Sequence, residues 1–122
     1  MKKLITAITF ILAITFNATA QDAKTVTLEQ TKGEFTQKQV TLSEGDYIFN
    51  IANHNVGTEV GFVLIPQGAD ASDPKNHIKE AYVTKTVADG KTESSSTVSL
   101  KKGTYEYFCP LNKTPQYTLI VE

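Results

Sequence analysis

The sequence predicts an all-β fold: an antiparallel two-sheet Greek-key β-sandwich of seven or eight short strands with one short helix. Three observations lead there. Apolar and polar residues alternate in stretch after stretch, the period of a half-buried strand. Turn signals built on Gly, Asp, Asn and Pro separate these stretches at intervals of about 8 to 12 residues. Only one stretch carries a helix start. A small barrel or jelly roll would share this pattern and stays open at this level.

The elements follow in order. Residues 25–29 (TVTLE) alternate and form a first strand, closed by Lys32-Gly33. Residues 35–42 (FTQKQVTL) read as one extended segment with Val40 and Leu42 on one face, and residues 43–46 (SEGD) turn the chain. Residues 47–53 (YIFNIAN) form a strong strand with Tyr47, Phe49 and Ile51 on one side, followed by the loop NHNVGT at 53–58. Residues 60–65 (VGFVLI) are apolar on both faces, which suits a central, doubly covered strand. Gly61 inside that run marks a bulge or the close approach of another backbone. Asp73-Pro74 is an N-cap followed by a first helical residue, so residues 74–81 are expected to hold two helical turns with Ile78 and Ala81 inward. Residues 81–87 form a strand or an extended cover, and Asp89-Gly90 is a hairpin turn. Residues 93–100 alternate with Val98 and Leu100 inward. The last stretch, GTYEYFCPLNKTPQYTLIVE from Gly103, is a turn, a strand, a short loop opened by Cys109, and a final strand. Tyr105, Tyr107 and Cys109 share one face of the former, and Tyr117, Leu119 and Val121 share one face of the latter.

The chain opens with two lysines, an apolar run over residues 4–16, and the small-residue tail Asn17-Ala18-Thr19-Ala20. This is the pattern of a secretory leader at 1–20, cut after Ala20, leaving one domain at 21–122. The expected location is periplasmic or secreted, with no stable membrane insertion after cleavage. Without Lys2 and Lys3, 10 basic residues face 13 acidic ones, a net charge near −3. The chain has no Arg and no Trp, so nucleic-acid binding through a basic face is excluded as a function class. With one cysteine there is no internal disulfide, and a chain of this length builds its own core without one.

Two stretches resemble the cupredoxin family. FTQKQVTLSEGDYIFNIAN followed by EVGFVLIPQG is similar to the family's strand, Gly-Asp turn, strand ending in Asn, loop, and strand that begins at the first copper-ligating His. VSLKKGTYEYFCPLNKTPQYTLIVE resembles the family's ending, in which a Gly-Thr-Tyr strand reaches Tyr-x-Cys-Pro before a loop with His and Met. The resemblance implies a cupredoxin-like sandwich and a type 1 copper site, whose ligands carry over one at a time. The cysteine ligand falls on Cys109, the second His on Asn112 and the axial Met on Pro115, while the first His falls among Thr58, Glu59 and Val60. A type 1 site needs a thiolate, two imidazoles and a weak axial ligand, and only the thiolate remains. The mature chain has no Met at all.

Few other residues are candidates for chemistry. Cys109 is either a metal-binding thiol or an inert packed one; its neighbours Tyr107, Phe108, Pro110 and Leu111 offer no cation to hold a thiolate. His54 is the one histidine near it in the expected fold, so a rearranged copper site at Cys109 and His54 is the alternative to a lost one. Against it stands an exposed loop histidine. His77 lies among Asp70, Asp73 and Glu80, a spacing that matches no strong metal motif, and reads as a solvated surface histidine. Asn112-Lys113-Thr114 fits a glycosylation pattern, a short and weakly specific one. No Gly-rich phosphate loop is present, and no nucleophile has a base near it in sequence.

The expected function is an extracytoplasmic cupredoxin-like binding or accessory module, not an enzyme, that has lost the type 1 copper site and needs no cofactor. Its contacts, with a protein or a small molecule, are expected at the end loops through Asn53, Asn55, Thr58, Glu59, Leu111 and Lys113. The alternatives are copper handling or electron transfer at Cys109 and His54, and a structural envelope protein whose Cys109 only packs.

Overall fold

The computed structural model describes residues 23–122; the leader expected at 1–20 lies outside them. Eight strands form two sheets of four that face each other across one core. The first sheet runs β2-β1-β4-β6 and the second β3-β8-β7-β5. The strands are β1 Lys24–Thr31, β2 Glu34–Phe35, β3 Gln39–Leu42, β4 Gly45–Asn53, β5 Val63–Pro66, β6 Thr92–Leu100, β7 Gly103–Phe108 and β8 Tyr117–Val121. The inward sets named from the alternation face the core: Tyr47, Phe49 and Ile51 on β4, Val98 and Leu100 on β6, Tyr107 on β7, and Leu119 and Val121 on β8 are buried, while Val40, Leu42, Tyr105 and Tyr117 are half-buried against it. Between the sheets Phe35 stands edge-on to Tyr107, with ring centroids 5.1 Å apart, and Phe49 lies 5.0 Å from Phe62. Such aromatic pairs add to the area they bury.

The sandwich differs from the expected one in four places. Its sheets are mixed, not purely antiparallel: β1 runs parallel to β4, and β3 parallel to β8. The extended segment at 35–42 is two strands in different sheets, because the chain crosses the core edge between Phe35 and Gln39. Gln37 holds the crossing, its Oε1 accepting from Glu29 N at 2.9 Å and its carbonyl accepting from the Tyr107 hydroxyl at 2.6 Å. Tyr107 is closed off from solvent there, and that burial, with the neighbouring Tyr117, pushes its phenol up to about 12. The run at 60–65 is not a central strand. Its β5 part lies at a sheet edge, yet Val63, Leu64 and Ile65 are buried because the segment after it folds over them. Ile78 N donates to Leu64 O at 2.9 Å, closing the open edge.

The two helical turns expected at 74–81 are two separate 3-10 turns, Pro74–Asn76 and Lys79–Ala81. Asp73 caps the first as its Oδ1 accepts from Lys75 N at 3.0 Å. Residues beyond them make an extended cover: Val83 bridges Ser95 and Val87 bridges Val60, with Gly90 at a φ of 77° in the turn. Among the described residues no helix is long and apolar enough to cross a membrane.

Candidate functional site

The site sits where three segments meet: the end of β1, the chain entering β5, and the loop after β7. Cys109 directly follows β7 and is fully buried. Its Sγ accepts two backbone hydrogen bonds, from Gly61 N and from Asn112 N, both at 3.3 Å. Thr114 closes the loop behind it: Cys109 N donates to Thr114 Oγ1 at 2.9 Å, and Thr114 N donates back to Cys109 O at 3.2 Å. Lys113, at a φ of 55°, turns the chain between them.

Asn112 is the structural centre of this end. It is buried, and its whole amide is engaged. Oδ1 accepts from Gly33 N at 2.8 Å, while Nδ2 donates to Thr31 O at 2.8 Å and to Gln30 Oε1 at 3.1 Å. Gln30 is closed off from solvent, and its Nε2 donates to Gly61 O at 2.8 Å. Its backbone oxygen accepts from His54 N at 2.9 Å. A continuous polar network therefore ties the Cys109 loop to β1, to the Gly33 turn and to the entry of β5. Buried amides in such networks hold one geometry because each alternative strands a donor or an acceptor. The Asn112-Lys113-Thr114 pattern is accordingly not an open glycosylation acceptor.

A pocket of about 330 Å³ opens beside this loop. Gly61, Phe62 and Val63 form one wall, Pro110 and Leu111 a second. The third wall comes from the covering segment, with His77, Tyr82 and Val83. Leu111 stands on the rim and is 51% exposed, the one large exposed hydrophobic among the described residues. His77 is not the solvated surface histidine that its sequence neighbours implied. Its Nε2 lies 2.8 Å from Ala71 O and its Nδ1 2.6 Å from the Tyr82 hydroxyl. A carbonyl only accepts, so Nε2 carries a ring proton, and in the neutral ring Nδ1 accepts the hydrogen bond of the Tyr82 hydroxyl. The ring stands edge-on to Tyr82 and to Phe108, which fixes it as a wall.

The remaining sequence candidates divide in two. Asn53 was expected in a contact loop but is buried: Nδ2 donates to Thr58 O at 2.8 Å and Val87 O at 3.0 Å, and Oδ1 accepts from Val56 N at 3.1 Å. It shapes the loop from inside. Asn55, Thr58, Glu59 and Lys113 are exposed, Asn55 at a φ of 58° and Glu59 accepting from Thr86 Oγ1 at 2.7 Å. His54 has an outward ring, 63% exposed, with Nδ1 at 3.9 Å from Glu29 Oε2. Its hydrogen bond into the network runs through its backbone, not its imidazole.

The residues at the copper positions do not fit a type 1 copper ion. Asn112 spends both ends of its amide on the protein, Pro115 has no donor and is exposed, and Glu59 faces outward while the buried Val60 leads into Gly61. Among the described residues no three His, Cys, Asp or Glu side chains come together as a metal-binding group. The pocket, Gln30 and the His77–Tyr82 pair were missed in sequence. Gly61, which marked a bulge or the close approach of another backbone, was the signal nearest the pocket.

A family model for the cupredoxin-like domain matches residues 4–121. The chain belongs to the cupredoxin-like family. Solved structures agree on the fold. Auracyanin B is 23% identical with a TM-score of 0.66, covering 82% of this chain and 89% of its own. Auracyanin A, described as a blue copper protein from Chloroflexus aurantiacus, is 18% identical with a TM-score of 0.63, covering 83% and 100%. An azurin from Methylomonas sp. strain J is 17% identical with a TM-score of 0.56, covering 83% and 99%. None of the curated proteins matches the sequence. At these identities the likeness is one of fold. At the position where the resemblance sets the second histidine, the cupredoxin-like chain has a hydrogen-bonded asparagine.

Proposed function

We propose that this cupredoxin-like chain is an extracytoplasmic binding module, not an electron carrier, whose metal-binding end has been rebuilt as a polar clamp beside a pocket. One observation carries the reading. Asn112, at the place where the resemblance sets a histidine ligand, gives both amide protons and a lone pair of Oδ1 to three partners within the protein. A side chain so engaged cannot turn toward a metal without breaking the clamp. The leader pattern at 1–20 supports export, and the low basic charge supports a partner other than nucleic acid. Catalysis is not part of the reading: Cys109 is buried without a base, and both nitrogens of His77 are taken.

A copper titration of the reduced, metal-free protein tests it. The expected result is no intense visible thiolate-to-copper band with Cu(II), and no Cu(I) binding against a competing chelator beyond that of an exposed histidine. A strong band lost in Cys109→Ala, or tight copper lost in His54→Ala, would replace the binding-module reading with copper handling through Cys109 and His54.

A further inference from the structure

The pocket beside the Cys109 loop offers a more specific reading, one that rests on the binding-module proposal. The chain has seven glycines, and six of them take positive φ, where an L side chain is strained. Gly61 does not. Nor does packing require it: no atom outside its chain neighbours lies within 4 Å of where a Cβ would stand. Its N–H and C=O are both satisfied, by Cys109 Sγ and Gln30 Nε2, and any residue could make those bonds. Neither conformation nor crowding accounts for the glycine. What its missing side chain leaves open is pocket.

We propose that this pocket binds a small, uncharged, largely apolar ligand that carries one hydrogen-bond donor, with Gly61 as the residue that makes room for it. Size is the first ground. At about 330 Å³ the space is roughly twice the ~150 Å³ of an apolar cavity that takes up benzene, and at the small end of ligand pockets. Charge is the second. The lining holds no Asp, Glu, Lys or Arg, and both nitrogens of its one histidine are bonded within the protein. A charged ligand would lose its hydration there with nothing to replace it. Polarity is the third. Tyr82, donating its hydroxyl hydrogen to the bond with His77, keeps oxygen lone pairs for an outside donor. A protein partner suits the surface less well: Leu111 is alone among the described residues as a large exposed hydrophobic, whereas the hot spots of protein interfaces cluster.

Indole, with two fused rings, one N–H and no charge, is the probe. Titrated into the isotope-labelled full chain and followed by amide NMR, it should saturate, with the largest shifts at Gly61, Val83 and Leu111. Indole bearing a carboxylate should bind at least ten-fold more weakly. Gly61→Leu, which fills the space left at that wall, should weaken indole by at least ten-fold while the unfolding midpoint stays near that of the unaltered chain. Leu111→Ser, at an exposed rim position, should weaken it several-fold and decides the matter if Gly61→Leu does not fold. Shifts that never saturate, shifts centred on residues 53–58, equal affinity for the carboxylate, or unaltered affinity in a folded Gly61→Leu or in Leu111→Ser would each overturn the proposal. The copper titration is independent of this outcome. Failure with indole removes the ligand class alone, whereas a thiolate-to-copper band removes the binding-module reading beneath it.

Discussion

Replacing Asn112 with Ala tests whether the residue that the resemblance sets in the histidine's place is a strut. The variant removes three hydrogen bonds at once. Gly33 N and Thr31 O lie near the surface and can find water, so each loss costs only the net worth of a bond, about 0.5–1.5 kcal/mol. Gln30 is different. It is fully buried, and its Oε1 would be left without a donor, a stranding worth about 1–3 kcal/mol. Taken together, Asn112→Ala should destabilise the domain by about 2–4 kcal/mol, allowing for partial collapse of the loop. For a domain of this size that is a fall in the unfolding midpoint of roughly 10–25 °C. Urea unfolding followed by tyrosine fluorescence measures it, and a cycle with Gln30→Ala isolates the pair, with an expected coupling above about 0.5 kcal/mol. A cost below about 0.5 kcal/mol, the range of ordinary surface substitutions, would refute the clamp, and so would strict additivity with Gln30→Ala.

Two further outcomes follow from the same end of the molecule. Cys109→Ala should cost about 1–2 kcal/mol through a small cavity, and iodoacetamide should leave Cys109 unmodified in the native protein but label it in urea; equal labelling rates in both states would contradict the burial. Tyr107 is held protonated in the fold up to about 12, against 10.0 for a free phenol. The folded state therefore binds the proton more tightly, so the stabilisation is complete below pH 10 and is lost as pH rises toward 12. Phenolate absorbance should show one tyrosine ionising late and together with alkaline unfolding; five tyrosines titrating together near 10 in the folded protein would be inconsistent with its burial.

The strands and inward faces were legible because burial on one side of a strand writes a period of two. Tyr47-Phe49-Ile51 and Leu119-Val121 announce their face in any sandwich. The switch between sheets after Phe35 was not legible, because an extended run reads alike whether it pairs with one sheet or two. Val60 to Ile65 misled for a related reason. A run apolar on both faces reports that it is covered, and here the cover is a pair of 3-10 turns and not flanking strands. Gln30 did carry a signal. It continues the inward face of Val26 and Leu28 with an amide, and a polar residue at an interior position implies a buried partner. Which partner could not be read, since Asn112 is 82 residues away in the chain. The alternative pairing of His54 with Cys109 rested on loops sharing one end of the sandwich. They do share it through Gln30, but with the imidazole turned outward to Glu29.

The clamp and the pocket bear on each other. Pro110 and Leu111 lie between Cys109 and Asn112, the two residues by which the loop is fastened, so this pocket wall is pinned at both of its ends. The opposite wall is held by the His77–Tyr82 bond and by Ile78 N on Leu64 O. Both walls are thus fixed by bonds that exist without a ligand. A preformed pocket loses little conformational freedom on binding, so even a small ligand can retain most of its contact energy. A bound metal holds loops in place by its coordination bonds. Here side-chain amides hold the same loop, and they leave the space beside it open.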